Sequence, residues 1–239
     1  MLAGVLIQKD QNFISMKRIL VFFVLTFIAV HMLSAQKEFS GSWTLEKSGK
    51  GKSLQLKHKL NNSDGYNMSV SINDLDLKGF KQGEDVTFYI KNNTGEIKYT
   101  GTVEKESGKG TFKFIASSKF VEEIEKIGLD DVSGGELLFF TIKNVDASFF
   151  RSFADMGYSD QLSDKATALV ALEISPDFVS EIKGMGYNDI PLGKIISFKA
   201  LGVTPEYIAD LKSQYGGELS LNDITSHKAM NIDPAYTCL

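Results

Sequence analysis

The chain has little of the material from which reactive centres are built. It contains one cysteine, Cys238, which excludes an internal disulfide and any cysteine-based zinc site. Three histidines in 239 residues leave few candidates for a metal centre or a catalytic base. Only two arginines, Arg18 and Arg151, are present, so forked recognition of phosphate is scarce. The composition therefore argues against a metalloenzyme, a disulfide scaffold and a nucleic-acid-binding protein, and it predicts no cofactor.

Catalytic motifs are missing as well. The sequence has no His-Glu-x-x-His, no Gly-x-Ser-x-Gly and no dinucleotide fingerprint. His58 and His227 fall in different predicted regions, which disfavours a shared site. Residues 49–53 contain Gly-Lys-Ser, but the upstream glycine of a phosphate loop is missing and a strand follows. We therefore expect a protein that is not an enzyme.

The N-terminal segment has the pattern of a secretory signal. Met16-Lys17-Arg18 precedes the apolar run 19–30, and small and polar residues follow at 34–36. A membrane anchor is the alternative, but the run is shorter than the ~20 residues that a spanning helix needs. We expect residues 1–35 to be a signal peptide, with 1–15 an extension ahead of the true start. The mature chain, cleaved after Ala35, would be exported to the periplasm or beyond, without stable membrane insertion.

Charge divides the mature chain into two parts. Residues 36–119 hold 14 lysines against 10 acidic residues, whereas residues 120–239 hold nine basic against 19 acidic residues. A division of this kind indicates two domains with different surfaces. We place a β-domain at 36–115 and helical repeats at 116–239.

The second part repeats every 29 residues. The segment that begins at Ile174 matches the one that begins at Val203, and the same offset extends in both directions. One aromatic residue per unit falls on this period: Phe120, Phe149, Phe178, Tyr207 and Tyr236. Apolar residues at helical spacing are usually core, so we expect this aromatic ladder to be buried.

Each unit is predicted to contain two helices. Ser175 and Thr204 are suitable N-caps, and a proline follows each at the first helical turn. No unit can bury its apolar stripe alone, so the units are expected to stack into a short α-solenoid. Tyr158 and Tyr187 follow the first helices, where they either pack on the neighbouring unit or contact a partner. The last unit stops part-way at Leu239, which suggests a fragment of a longer product or a frayed end.

The first part has the alternation of half-buried strands, separated by glycine- and asparagine-rich turns. Six strands are predicted, at residues 42–46, 54–59, 66–72, 86–91, 97–103 and 111–115. They predict an antiparallel meander, curled or half-closed into a half-barrel. The fold class is therefore α+β, a β meander followed by a short α-solenoid.

Two features of the β-domain suggest binding roles. Gly41-Ser42-Trp43 resembles the opening signature of lipocalins and fatty-acid-binding proteins, which implies a carrier of a small apolar ligand; a plain core tryptophan is the alternative. The first hairpin is rich in lysine, and Lys50 and Lys52 are candidate contacts for an acidic partner. A solvated face is the simpler explanation of such a run.

The mature chain also resembles a bacterial arrangement as a whole. Two groups of motifs carry this resemblance. The first lies in the β-domain and consists of Trp43, residues 86–88, Gly101 and residues 108–114. The second consists of the repeats that follow, with their Pro-x-aromatic motifs and Met185-Gly186-Tyr187. This order is similar to the exported region found with antirepressor-type membrane metallopeptidases of the β-lactam-sensor family and with anti-sigma-factor-like proteins. The peptidase itself is absent. The resemblance implies an exported, non-catalytic sensing or interaction module that binds an envelope protein or peptide, with a membrane metallopeptidase or a sigma-factor regulator as candidate partners.

Overall fold

A computed structural model describes residues 37–48, 53–61, 67–216 and 218–232. The predicted signal peptide, with its cleavage site at Ala35, lies outside these residues. These described residues cluster as one compact unit. Within the described part of the chain, no helix is both long enough and apolar enough to cross a bilayer.

A six-stranded antiparallel sheet comes first, as predicted, and helices follow it, which confirms the α+β class. The strands are β1 (Glu38–Lys47), β2 (Leu54–Leu60), β3 (Asn67–Ser71), β4 (Gly83–Asn92), β5 (Gly95–Val103) and β6 (Gly108–Ala116). Each contains or closely matches one predicted run. Burial alternates along them, because one face of the sheet covers the core and the other meets solvent.

The strand order is β3-β2-β1-β6-β5-β4, so each half of the sheet is a meander and β1 pairs with β6 at the centre. Although β3 and β4 are consecutive in the chain, they do not pair and form the two edges. Between them runs a connection with a 3₁₀ turn at Ile72–Asp74. Its Lys78 exchanges two backbone hydrogen bonds with Tyr89 of β4, both 2.9 Å.

The Trp43 side chain reaches across its sheet. Trp43 of β1 and Phe88 of β4 lie three strands apart, which corresponds to about 14 Å in a flat sheet. Their ring centroids are 5.3 Å apart, in an edge-to-face arrangement. The indole therefore lies over Gly110 of β6 and Gly101 of β5, in the direction of Phe88.

The helices begin directly after β6. They are α1 (Ser118–Glu125), α2 (Gly134–Ile142), α3 (Ala147–Phe153), α4 (Ser159–Ala171), α5 (Pro176–Gly184), α6 (Leu192–Leu201), α7 (Pro205–Tyr215) and α8 (Leu221–Ala229). A π-helical segment, Ala154–Tyr158, joins α3 to α4. The predicted caps are present, since the side chains of Ser175 and Thr204 accept from backbone N–H groups three residues on.

The 29-residue period appears in the backbone. The helices α2, α4, α6 and α8 are each followed, within two residues, by a residue with positive φ: Asn144 (53°), Glu173 (51°), Gly202 (71°) and Asn231 (55°). Packing follows the same period, because α3 contacts α1 and α5, while α4 contacts α2 and α6. Likewise α7 packs on α5, and α8 packs on α6. Each helix thus packs on its equivalents in adjacent units.

Sheet and helices share one buried core. At the end of β4, the Asn92 side-chain amide donates to the Thr141 carbonyl of α2 (2.8 Å). At the start of α2, Gly134 lies so close to the Phe39 ring that a Cβ there would collide with it. These contacts fix the position of α2 against the sheet.

Candidate functional site

Tyr158 and Tyr187 join consecutive helical units in the same way. The Tyr158 hydroxyl donates to the Ile190 carbonyl (2.8 Å), and the Tyr187 hydroxyl donates to the Leu219 carbonyl (2.9 Å). Each hydroxyl therefore reaches a carbonyl 32 residues further along. Tyr158 is only 5% exposed, whereas Tyr187 is half-buried. This geometry corresponds to the packing alternative, and it leaves Tyr158 little surface for a partner.

A lysine covers each of these rings. Lys183 Nζ lies 4.7 Å from the centroid of the Tyr158 ring and donates to the Met156 carbonyl (3.0 Å). Lys212 Nζ lies 4.6 Å from the centroid of the Tyr187 ring and donates to the Met185 carbonyl (2.6 Å). The ammonium group thus combines a cation–π contact with a hydrogen bond at both junctions.

Burial raises the pKa of both phenols above the ordinary tyrosine value. A smaller contribution in the same direction comes from the negative charge of Asp189 near Tyr158 and of Glu218 near Tyr187. The two acids are themselves 29 residues apart. Both phenols therefore stay protonated at neutral pH and keep their donor role.

We expect Tyr158→Phe to lower the free energy of unfolding by about 1–2 kcal/mol, because the Ile190 carbonyl loses its buried donor. Tyr187→Phe should act in the same direction with a smaller effect, because its ring is more exposed. Urea denaturation followed by circular dichroism measures both. Tyr215→Phe is the matched control, since Tyr215 is 47% exposed. A Tyr158→Phe variant as stable as this control would contradict the proposed role of the hydroxyl.

The aromatic ladder is only partly as deep as predicted. Phe120 and Tyr207 are buried, while Phe149 and Phe178 are half-buried and pack against the core. Tyr236 lies outside the described residues. In the three later units the next position is fully buried, which the sequence interpretation missed: Phe150, Val179 and Ile208. In the first unit Phe120 is buried more deeply than Val121. Lysines also cover two ladder rings, Lys199 over Phe178 (5.5 Å) and Lys228 over Tyr207 (4.3 Å).

The lysines predicted as partner contacts in the first hairpin, Lys50 and Lys52, lie outside the described residues. The neighbouring outward-facing lysines of β2 are described. Lys57 pairs with Glu46 (3.0 Å) on a solvent-exposed surface. An exposed pair of this kind contributes about 0–1 kcal/mol, so it does not indicate a built site.

Aromatic rings pack together on the buried face of the sheet. Trp43 contacts Phe88 and Tyr99 edge-on, and Phe88 stacks on Tyr99 with centroids 4.6 Å apart. The Trp43 indole N–H donates to the carbonyls of Thr100 (3.2 Å) and Thr111 (3.1 Å). The tryptophan is therefore tied to β6, which pairs with its own strand, and to β5, the next strand beyond it.

His58 is a buried ionisable residue of this face, in contact with Tyr99. Its Nε2 lies 2.8 Å from the Tyr99 hydroxyl, and its Nδ1 has no hydrogen-bond partner in the described structure. Burial lowers the pKa of His58 to about 3, a shift that the Met68 backbone offsets in part. Burial also raises the pKa of the Tyr99 phenol. His58 is thus a neutral core residue at physiological pH.

Two neighbouring depressions lie where the sheet meets the helical units. The first, here called the repeat groove, has a volume of about 370 Å³ between the ends of α2 and α4 and the start of α5. The second, here called the edge cleft, has a volume of about 600 Å³ between β3, β4 and the end of α2. Lys143 and Glu173, which form an ion pair of 3.7 Å, line both.

The repeat groove has a mostly apolar wall. The wall is formed by Val145, Phe149 and Ile174, and the rim by Ser175 and Pro176. Among the described residues, no group of three His, Cys, Asp or Glu side chains is placed to hold a metal ion. The chemistry available here is apolar contact with charged residues at the margin.

Comparison with protein-family models, curated proteins and solved structures finds no match.

Proposed function

We propose that this chain is an exported, non-catalytic binding protein of the bacterial cell envelope. In this proposal the helical units form a short α-solenoid, and the sheet forms a half-barrel at its N-terminal end. The bound partner is a protein or peptide. The division into a β-domain at 36–115 and repeats at 116–239 belongs to the same proposal.

The repetition of the contacts between units is the observation that supports this function most strongly. The tyrosine–carbonyl bonds, the lysine contacts and the left-handed helix ends all recur with an offset of 29 residues. Units joined in this way stack in one direction, and stacked helical units offer an extended surface to a partner. The apolar wall of the repeat groove is the part of that surface suited to burying a side chain.

The aromatic filling of the sheet favours this function over a carrier of small apolar ligands. A carrier needs space on the buried face, and there the rings of Trp43, Phe88 and Tyr99 contact one another. The space that remains for a carrier is a mostly apolar pocket of about 350 Å³ beside Trp43, His58 and Met68. The resemblance described above suggests a membrane metallopeptidase or a sigma-factor regulator as the partner.

Site-specific photo-cross-linking in the producing cell tests the proposal. A photoreactive amino acid at exposed Lys143, which lines the repeat groove, should give one discrete cross-linked species in the envelope fraction. Adding Val145→Glu should reduce that species at least tenfold, because a charge would enter the apolar wall. The same photoreactive residue at Lys98, on the outward face of β5, is the control.

Two results would contradict the proposal. One is an equal cross-linking pattern from Lys143 and Lys98, or none from either. The other concerns export: the isolated product should begin at Gln36, as measured by intact mass. A product that retains residues 1–35 in the cytosolic fraction would exclude the envelope.

A further inference from the structure

The edge cleft lies between the two strands of the sheet that have a free side. Val70 of β3 lines one wall, and Ile90 and Lys91 of β4 line the other. A strand edge exposes unpaired backbone N–H and C=O groups, which can pair with another extended chain. The direction of these groups therefore decides what the cleft can bind.

On β4 the backbone N–H and C=O groups that point away from β5 belong to alternate residues. Tyr89 pairs with Lys78 on the free side, through both its N–H and its C=O. Since backbone groups alternate between the two sides of an antiparallel strand, Thr87 and Lys91 face the same side as Tyr89. The connection pairs with β4 only at Tyr89 within the described residues. The Lys91 N–H and C=O therefore face the cleft.

On β3 the same reasoning identifies the free groups. The Asn61 N–H donates to the Ser40 carbonyl (3.0 Å), so the odd-numbered residues of β2 face β1. The even-numbered residues of β2, including His58, face β3 and pair with its even-numbered residues. The backbone groups of Ser69 and Ser71 are left on the free side.

The floor of the cleft is apolar. Val70, Ile90 and Ile142 are buried residues of the common core that line it. An extended chain placed there would direct every second side chain toward this floor.

The charges at the margin favour a basic occupant. Lys91 is already paired with Glu96 (2.6 Å), and Lys143 with Glu173. Asp76 is paired with Lys78, whereas Asp74 has no ion pair among the described residues. An incoming cation finds an available carboxylate, while an incoming anion finds both lysines engaged.

We propose that the edge cleft binds an extended, basic segment of a partner protein, which adds a strand to β4 at Lys91. The segment alternates apolar and basic residues. This site rests on the proposed binding function and specifies the form of the partner segment.

A synthetic hexapeptide tests the proposal directly. Acetyl-(Lys-Val)₃-amide should bind the purified full chain, as measured by titration calorimetry. Lys91→Pro should weaken binding at least tenfold, because it removes the N–H that faces the cleft. Proline is tolerated on an edge strand when its missing N–H faces away from the paired strand. Thr87→Pro removes the equivalent N–H outside the cleft, so it should bind as the parent does.

A second comparison needs no protein variant. The same peptide with N-methyl groups on alternate residues retains its charge and side chains but lacks the N–H donors of one edge. It should bind at least tenfold more weakly when the methyl groups face β4. Asp74→Lys should also weaken binding of the unmodified peptide.

The proposal is overturned if the peptide does not bind at millimolar concentration, or if Lys91→Pro and the methylated peptide bind as well as the parents. It is also overturned if sedimentation shows a dimer that Lys91→Pro dissociates, because a second copy would then occupy the edge. In each case a discrete cross-link at Lys143 that Val145→Glu reduces would leave the general binding function standing, and its absence would remove that function as well.

Discussion

Replacing Gly110 by alanine is expected to lower the free energy of unfolding by about 3 kcal/mol. Gly110 lies opposite Trp43 on one neighbouring strand and opposite Gly101 on the other. A Cβ there would collide with the Thr100 carbonyl and would lie 2.7 Å from the indole nitrogen of Trp43. Both neighbours are held in place, because Trp43 Nε1 donates to that same carbonyl.

Urea denaturation can follow this change through fluorescence, since Trp43 is the single tryptophan of the chain. Gly193→Ala is the matched control. Gly193 lies in α6 with open space where its Cβ would be, so alanine should stabilise the protein by about 0.5–1 kcal/mol. The same substitution thus has opposite signs at the two sites. Unchanged midpoints for Gly110→Ala would contradict the close contact with Trp43.

Lowering the pH should destabilise the protein through His58. Its pKa is about 3 in the folded chain and about 6.5 when unfolded, so the unfolded state binds the proton more readily. The stability contributed by neutral His58 is therefore complete above pH 6.5 and is lost as the pH falls toward 3. At pH 4.5 the expected loss is about 2–3 kcal/mol.

Carboxylates also titrate in this range, so a difference between variants is the proper measurement. The free energy of unfolding should fall by about 2–3 kcal/mol less in His58→Gln than in the parent between pH 7 and 4.5. Parallel slopes for His58→Gln and the parent would disprove the role of His58.

The sequence predicted local structure well because local structure depends on neighbours in the chain. All six strands follow from period-two alternation, and the caps Ser175 and Thr204 follow from side-chain chemistry. Even the burial of His58 had a signal, since it lies on the same strand face as the apolar Leu56 and Leu60. The sequence did not show that His58 is neutral, because its burial depends on rings that other strands bring around it.

Long-range pairing was harder to predict. The sequence did not show why position 110 needs a glycine, because β1 and β6 pair there without a break and the irregular register of the sheet lies between Gly83 and Val86. The glycine is needed because Trp43 packs over it, a contact between residues 67 positions apart. The separation of β3 from β4 has the same origin, because the β1–β6 pair decides which strands become edges.

The sequence predicted less of the candidate sites than of the strands and helices. A fixed period identified Tyr158 and Tyr187, but not the carbonyls that they bind. The edge cleft combines a strand end, a connection and a helix end, and no motif in the sequence joins Val70, Lys91 and Lys143. Only their common location in the fold groups them.

The two tyrosine–carbonyl bonds span the same number of residues, and this limits the steps in which such a chain can change length. Tyr158 and Tyr187 each reach a carbonyl 32 residues ahead, while the units themselves are 29 residues long. Excising residues 175–203 would bring Leu219 to the place of Ile190, so Tyr158 would find the same acceptor. Gene duplication or deletion can therefore lengthen or shorten this protein in whole-unit steps, and a step of any other size would break every junction that it crosses.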